Sequence, residues 1–218
     1  YADIVRSDGR MAIARGVERF PDVAELRLLR AQELRTAGKA GEAVVELQRA
    51  TALDSNSGQG RLALAQAQAE LGMLDSAITE ARRALAAGAD RATVAQFALA
   101  RGSTLYRAAN ATRKRADYQV AKEFIALADS VESTPQSQFL LGATALSISQ
   151  LAATEAPEAK ACDLSQLASQ LLPLAREKIS SGARVAPDAA RQYLGYLDEL
   201  EPVVQRQVAA LCTTHGRS

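Results

Sequence analysis

Apolar and small residues recur at helical spacing in two consecutive stretches of equal length, residues 24–57 and 58–91. In each stretch one face of the first predicted helix carries them at i, i+3 spacing, as in an amphipathic helix. They are Leu28, Ala31 and Leu34 in the first stretch; the matching positions of the second stretch hold Leu62, Ala65 and the polar Gln68. Gly38 and Gly72 are predicted to end these helices, because glycine readily takes positive φ.

A second helix is predicted a few residues after each glycine. Its small and apolar positions are Ala43, Leu47 and Ala50 in the first stretch and Ala77, Ala81 and Ala84 in the second. Small side chains allow two antiparallel helices to approach closely. Each stretch therefore predicts a helical hairpin that cannot bury its apolar face alone and must stack on neighbours.

The two stretches also share sequence in one register of 34 residues, which gives ten identities. A fixed period of this length is the signature of a repeat protein. The identical pairs are Arg27 and Arg61, Leu28 and Leu62, Ala31 and Ala65, Gln32 and Gln66, Gly38 and Gly72, Ala43 and Ala77, Glu46 and Glu80, Arg49 and Arg83, Ala50 and Ala84, and Ala52 and Ala86.

At these residues the sequence resembles the tetratricopeptide repeat (TPR) family. The small and large positions of the family's pattern are matched by Ala31, Gly38, Ala43, Leu47 and Ala50, then by Ala65, Gly72, Ala77, Ala81 and Ala84. Two positions depart from the pattern. Arg27 and Arg61 stand where the family usually has tryptophan or a similar residue, and Ser55 and Ala89 stand where it has proline.

The resemblance implies an all-α fold, a right-handed solenoid of antiparallel helix hairpins (a TPR-like superhelix) with a C-terminal capping helix. Beyond residue 91 the strict period fails, and we expect helices from Arg91 to Ala109, from Asp117 to Val131 and from Pro157 to Ile179. The expected organisation is the second helix of an incomplete repeat at 1–20, TPR repeats at 24–57 and 58–91, a degenerate repeat with an inserted loop at 92–134, a loose TPR-like hairpin at 135–181 and a C-terminal helix at 187–212.

Composition narrows the class of protein. The 46 Ala and 27 Leu outnumber the 18 Val and Ile, which disfavours a sheet. A net charge of +1 gives no general attraction to nucleic acid or to an anionic membrane, and the apolar runs fall short of the roughly 20 residues of a membrane span. The alanine excess, with 21 Arg against 5 Lys, is typical of a GC-rich bacterial genome.

The family's concave groove implies a set of partner-binding residues. Carried over by position, they are Glu25, Leu28, Gln32 and Arg35, then Gln59, Leu62, Gln66 and Ala69, and in the third unit Phe97, Arg101 and Thr104. Members that clamp the terminal carboxylate of chaperone tails use Lys and Asn where this chain has Leu28 and Gln32, which disfavours that ligand. Ordinary packing between helices is the alternative interpretation of these residues.

Cys162 and Cys212 are the only cysteines. They are either two buried thiols or a disulfide that closes a loop of 50 residues, which needs Pro202 to kink the last helix. A disulfide predicts an extracellular or periplasmic protein, whereas free thiols predict a cytoplasmic one.

The segment around residue 110 offers two weaker signals. Arg113, Lys114 and Arg115 form a basic loop, which is either simply solvated or a site for an acidic partner or nucleic acid. Asn110 begins an N-glycosylation motif, Asn-Ala-Thr, which also occurs by chance.

Candidate catalytic chemistry is sparse. The single histidine, His215, lies in the C-terminal tail without a second histidine or a CxxC motif, so we expect no metal, no cofactor and no enzymatic activity.

Three functions follow. The first is a non-enzymatic protein interaction module that self-assembles head to tail, through residues 2–20 and the C-terminal helices, into an extracellular filament. Tyr193, Tyr196 and Leu200 of the last helix are expected to present an adhesive surface. The second is an adaptor of a longer bacterial protein that binds an extended peptide in the groove. The third, disfavoured by the net charge, is a nucleic-acid-binding helical repeat.

Overall fold

The computed structural model describes the backbone of residues 2–212 and the surroundings of residues 9 and 11–212; His215 lies outside this range. Within it the chain forms ten α-helices and no strand. They are α1 Ala2–Arg19, α2 Ala24–Thr36, α3 Ala40–Leu53, α4 Gly58–Glu70, α5 Leu74–Ala86, α6 Arg91–Thr112, α7 Arg115–Val131, α8 Pro135–Ala159, α9 Cys162–Gly182 and α10 Pro187–Cys212. A short 3-10 helix, Ala183–Val185, joins α9 to α10. The predicted all-α class is confirmed.

The chain divides between Phe97 and Ala98 into two compact units. In the first unit α2 packs on α3, α3 on α4, and α4 on α5, so two hairpins follow one another. Gly38 and Gly72 take φ of +74° and +76° at the ends of α2 and α4. This confirms the predicted helix ends, and alanine at either position would be strained.

The two hairpins share a network of arginine and glutamate side chains in the 34-residue register. In the first hairpin the Arg27 guanidinium on α2 donates to the Pro21 carbonyl at 2.7 Å and to Glu46 on α3 at 2.8 Å. Glu46 also accepts from Arg49 at 2.9 Å. We call these three side chains, with the carbonyl, the Arg–Glu–Arg network.

The second hairpin repeats the Arg–Glu–Arg network. Arg61 donates to the Ser55 carbonyl at 3.0 Å and to Glu80 at 3.0 Å, and Arg83 donates to Glu80 at 2.6 Å. The Glu80 side chain is only 10% exposed. Each network therefore joins both helices of its hairpin to the connection that precedes it.

In the second unit α7, α8, α9 and α10 pack in succession, and α8 with α9 forms the most extensive hairpin. Two glycines permit that contact. A Cβ on Gly142 of α8 would stand 2.6 Å from the Ile179 nitrogen on α9, and one on Gly182 would stand 2.4 Å from the Phe139 nitrogen on α8. Backbone therefore meets backbone at both positions, and any side chain would separate the helices.

Asp129, at the end of α7, is the centre of a buried polar cluster in the second unit. Its carboxylate accepts from Lys178 of α9 at 2.7 Å, and from Ser133 at 2.8 Å and Ser137 at 2.9 Å. Burial opposes ionisation of this carboxyl, but the three hydrogen bonds and the lysine charge outweigh it, so the pKa of Asp129 lies below its ordinary value. The cluster thereby ties α7 to the α8–α9 hairpin.

Two sequence predictions in this unit are wrong. The expected loop at 110–115 is much shorter, because α6 continues through Asn110 to Thr112 and α7 begins at Arg115. The expected helix from Pro157 begins instead at Cys162, and Pro157 lies inside the last turn of α8.

The position of Pro157 has a physical explanation. Proline has no N–H, so in a helix the carbonyl four residues earlier loses its usual donor. That carbonyl belongs to Ala153, and the Gln207 side chain of α10 donates to it at 2.9 Å. The helix can therefore continue past the proline.

Cys162 and Cys212 form a disulfide between the first residue of α9 and the last residue of α10, with Cα atoms 5.0 Å apart. The helix α10 runs without interruption through Pro202. The bond closes the antiparallel pair at the end opposite to its 3-10 connection.

The glycine contact predicts opposite effects of one substitution at two helical sites. Gly142→Ala should lower the free energy of unfolding by roughly 1–3 kcal/mol, because the added methyl forces α8 from α9. Gly195→Ala, inside α10 with no atom within 4 Å of the added Cβ, should be neutral or raise it by up to about 1 kcal/mol through helix propensity. Urea unfolding followed by circular dichroism measures both, and equal effects would contradict the close contact.

The Arg–Glu–Arg network predicts that replacing glutamate with uncharged glutamine lowers the free energy of unfolding by different amounts at two positions. Glu80→Gln should lower the free energy of unfolding by about 1.5–3 kcal/mol, because two arginines lose a shielded charged partner. Glu42→Gln, which removes a pair with Lys39 in which both side chains are more than half exposed, should change it by less than about 0.5 kcal/mol. The comparison uses urea unfolding at low and high salt. A Glu80 cost no larger than the Glu42 cost would refute the structural role of the network.

Candidate functional site

A cavity of about 390 Å³ opens on the first unit, lined mainly by the first helices of its two hairpins. We call it the groove cavity. Its lining residues are Glu25, Leu28, Leu29, Ala31, Gln32 and Arg35 from α2, Leu47 from α3, and Gln59 and Ala63 from α4. Apolar side chains form its floor, and four polar side chains lie among them.

Five of the residues that the resemblance assigned to a groove line this cavity: Glu25, Leu28, Gln32, Arg35 and Gln59. The other predicted residues are placed differently. Leu62 and Ala69 are buried, at 7% and 2% exposure, and Leu62 lines a separate cavity with Gln59 and Gly88. Gln66 is half-buried, Phe97 lies outside the lining of the groove cavity, and Arg101 and Thr104 belong to the second unit.

The charges of the groove cavity are unequally balanced. Arg35 donates to Glu70 at 3.3 Å and to the Gln66 side-chain carbonyl at 3.3 Å, so its charge is compensated. Glu25 is exposed, and no hydrogen bond or ion pair holds its carboxylate within the described part of the chain. Leu29, 46% exposed, presents apolar surface beside these groups. The cavity therefore combines apolar surface with the Glu25 carboxylate, while the Arg35 charge of its lining is paired with Glu70.

A second cavity, of about 400 Å³, lies on the second unit. We call it the tyrosine pocket. Its lining residues are Tyr106, Asn110 and Arg113 near the end of α6, Ala143, Leu146, Ser147 and Gln150 from α8, and Gln192, Tyr193 and Tyr196 from α10. It therefore collects three of the chain's five tyrosines.

Contacts between aromatic rings hold two of these tyrosines. The Tyr106 ring meets the buried Tyr118 ring edge to face at 5.8 Å, and Tyr193 stacks on Phe139 at 5.9 Å. The Tyr118 hydroxyl donates to the Asn110 side-chain oxygen at 2.7 Å. Burial, with a smaller contribution from Tyr193, raises the pKa of Tyr106 to about 12. Aromatic contacts thus hold the Tyr106 and Tyr193 rings of the pocket wall in place.

The structure separates the three residues of the predicted basic loop. Arg113, with a φ of +55°, lines the tyrosine pocket. Lys114 is exposed at the N-cap of α7. The Arg115 side chain donates to Glu155 at 3.0 Å, so its charge is already paired. Asn110 lies in the last turn of α6 instead of a loop, and its side chain is already engaged by Tyr118.

Sequence reasoning did not bring the residues of the tyrosine pocket together. It grouped Tyr193, Tyr196 and Leu200 as an adhesive surface of the last helix, which is wrong for Leu200 because that residue is buried in the core at 8% exposure. It also missed Ser147 and Gln150 of α8. The cause is the loss of the 34-residue register in the long helices α8 and α10. A usable signal was the clustering of tyrosine in a chain whose aromatic content is only 4%.

Among the side chains of residues 9 and 11–212, no group of three His, Cys, Asp or Glu could hold a metal ion. Over the same range no helix has the length and apolar character needed to cross a membrane.

Comparisons with known proteins yield structural similarity alone. No protein-family model matches the chain, and neither does a curated protein. Solved structures that resemble it include MamA, with 17% identity over 84% of this chain and 91% of that chain and a TM-score of 0.49. MamA from Desulfovibrio magneticus RS-1 has 15% identity over 89% and 97%, with a TM-score of 0.46. YrrB, described as a TPR protein with an unusual peptide-binding site, has 14% identity over 86% and 98%, with a TM-score of 0.44. At TM-scores below 0.5 these similarities carry no functional argument.

The raised pKa of Tyr106 predicts a loss of stability at high pH. In the unfolded chain a tyrosine ionises near pH 10, whereas folded Tyr106 keeps its proton to about pH 12. The folded state therefore binds more protons between these values, and stability falls as the pH rises through them. Tyr106→Phe should make the fall between pH 10 and 12 shallower, measured by urea unfolding at fixed pH. An unchanged pH dependence, or a Tyr106 phenol that ionises near pH 10 by difference absorbance, would contradict the assignment.

Proposed function

We propose that this chain is a non-enzymatic protein interaction module that binds an extended peptide segment of a partner in the groove cavity. The observation that carries the proposal is the convergence of polar side chains from α2 and α4 around one apolar floor. The volume of the groove cavity, about 390 Å³, falls within the range usual for ligand sites. The proposal covers the adaptor function predicted from the sequence.

The side chains of Gln32 and Gln59 suit an extended peptide backbone. Both are exposed, and one comes from each first helix of the two hairpins. A primary amide offers two donors and one acceptor, so it can pair with both the N–H and the carbonyl of a peptide whose own groups are unpaired. These contacts involve only the backbone of the peptide, so they do not distinguish one peptide sequence from another. Other residues of the cavity must provide selectivity.

Selectivity would come from Glu25 and from the leucines. Since the charge of Arg35 is compensated by Glu70, Glu25 supplies the uncompensated charge of the cavity. It favours a lysine or arginine on the peptide. Leu28 and Leu29 offer apolar surface to a neighbouring apolar side chain.

The disulfide supports a location for this function. Structural disulfides persist in oxidising compartments and are rare in the cytosol. We therefore infer that the protein works in an extracellular or periplasmic space, with the Cys162–Cys212 bond as the supporting observation.

The other predicted functions have less support from the geometry. Head-to-tail assembly through residues 2–20 stays a prediction, because the side chains of residues 2–8 and 10 lie outside the described part of the chain. Nucleic-acid binding is weakened by the pairing of Arg115 with Glu155, which leaves two basic side chains where three were expected.

The test is binding of basic peptides by the whole chain. An array of random-sequence peptides, acetylated and amidated at their ends, is probed with the labelled protein, and the strongest basic peptides are measured by fluorescence anisotropy. Gln32→Ala with Gln59→Ala should weaken these peptides by roughly tenfold, since each lost amide removes hydrogen bonds. Leu29→Asp should also weaken them, because it places a charge on the apolar floor.

Matched controls lie on α3, away from the lining of the groove cavity. Gln48→Ala removes an exposed glutamine, and Leu53→Asp changes a leucine with 44% exposure, close to that of Leu29. Both should leave affinity unchanged. No preference for basic peptides, or equal losses in control and cavity variants, would overturn the proposal.

A further inference from the structure

We propose that the tyrosine pocket is a second binding site, which takes an acidic segment of a protein partner. The segment carries an Asp or Glu side chain that pairs with Arg113, next to a proline or aromatic side chain that packs against the tyrosines. This site is independent of the groove cavity, because it belongs to the other compact unit of the chain.

Charge complementarity identifies the occupant. Arg113 is the charged residue of the lining, and no carboxylate accompanies it among the described lining residues. Arg113 is exposed, and within the described part of the chain no hydrogen bond or ion pair holds its guanidinium. An anion can therefore bind it without displacing an internal partner, and a carboxylate matches the fork of a guanidinium.

The backbone conformation at this arginine is well defined. Its φ of +55° lies in the left-handed region, which arginine seldom adopts, and its N–H donates to the Ala109 carbonyl at 2.8 Å. The turn between α6 and α7 therefore fixes the position from which the Arg113 side chain leaves the backbone. Its neighbours contrast with it, since Lys114 lies outside the lining and Arg115 is paired with Glu155.

The aromatic wall favours a peptide over a nucleic acid. Tyr196 is 37% exposed, whereas Tyr106 and Tyr193 are partly buried and held by Tyr118 and Phe139. Such fixed rings, flanked by amides, are typical of pockets for proline or aromatic side chains of extended peptides. Nucleic acid binding draws on several basic groups along a backbone, and the pocket lining offers one.

The amides complete the site. Gln150 of α8 and Gln192 of α10 line the same pocket as the rings, and each can pair with the peptide backbone. The apolar surface between them comes from Ala143 and Leu146. A segment in the pocket would therefore meet a charge, a ring surface and backbone partners within a volume of about 400 Å³.

The test uses the same array of amidated random-sequence peptides, whose only carboxylates are side chains. Acidic peptides that contain proline or an aromatic residue should form a second class of binders, measured as fluorescein-labelled peptides by anisotropy. Arg113→Gln should weaken this class by roughly tenfold or more, with a smaller loss at high salt. Arg113→Lys should recover only part of the affinity, because an ammonium keeps the charge but lacks the paired donors of a guanidinium. Tyr196→Ala should weaken it by roughly tenfold.

Each variant has a matched control. Lys114→Gln removes the adjacent exposed charge, and Val203→Ala trims a residue of α10 with the same 37% exposure as Tyr196. Neither should change affinity by more than about twofold. Circular dichroism spectra and unfolding midpoints of all five single variants exclude a folding defect as the cause of a loss.

Three results would overturn the inference. They are the absence of an acidic class, a loss with Lys114→Gln as large as with Arg113→Gln, and binding of a fluorescein-labelled oligouridine that depends on Arg113 and is tighter than that of the acidic peptides. Gln32→Ala separates this site from the groove cavity. If acidic peptides respond to Gln32→Ala and not to Arg113→Gln, the tyrosine pocket is excluded while peptide binding by the groove cavity stands.

Discussion

The Arg–Glu–Arg network is the interaction on which the geometry of the first unit depends. Arg27 and Arg61 each bond both to the second helix of their own hairpin and to the connection that precedes it. An arginine restricts where its partners can lie, because its N–H donors point in fixed directions within one plane. A tryptophan at this position would contribute mainly apolar volume. The network therefore fixes how each first helix enters its hairpin, and the groove cavity is built on those two helices.

The network also explains why charged residues, Arg27 and Arg61, can occupy partly buried positions. Arg27 and Arg61 depart from the family pattern at a position that usually contributes apolar burial. A half-buried guanidinium is costly unless its donors are satisfied, and here carbonyl and carboxylate oxygens satisfy them. The departure is thus a different solution to the same packing problem, and Glu46 with Glu80 completes it.

Much of the first unit was predictable from sequence, because its elements repeat. The register located both hairpins, and Gly38 and Gly72 ended their first helices with positive φ as expected. The ten identities also contained every side chain of the Arg–Glu–Arg network. Sequence did not pair Arg27 with Glu46, since the two are 19 residues apart and meet only when the hairpin closes.

The second unit resisted prediction for local reasons. Proline is common at the start of a helix, but here Gln207 donates to the Ala153 carbonyl, which Pro157 leaves without its usual donor. Gln207 and Ala153 are 54 residues apart along the chain. Gly142 and Gly182, which permit the close contact between α8 and α9, lie outside the 34-residue repeat. No repeated pattern therefore indicated that two helices approach closely there. Arg113, Lys114 and Arg115 are adjacent in the sequence and were therefore predicted to form one basic cluster. The turn between α6 and α7 places each of them in a different environment.

The bond between Cys162 and Cys212 also bears on the survival of the protein after damage. The connection between α9 and α10 contains Arg184 and Val185, both exposed, and Val185 is half exposed at 50%. It is the kind of segment that proteases cut first. Because the disulfide lies at the far end of the helix pair, a chain cut there remains one covalent molecule, and α10, with the tyrosines that it contributes, stays attached to α9.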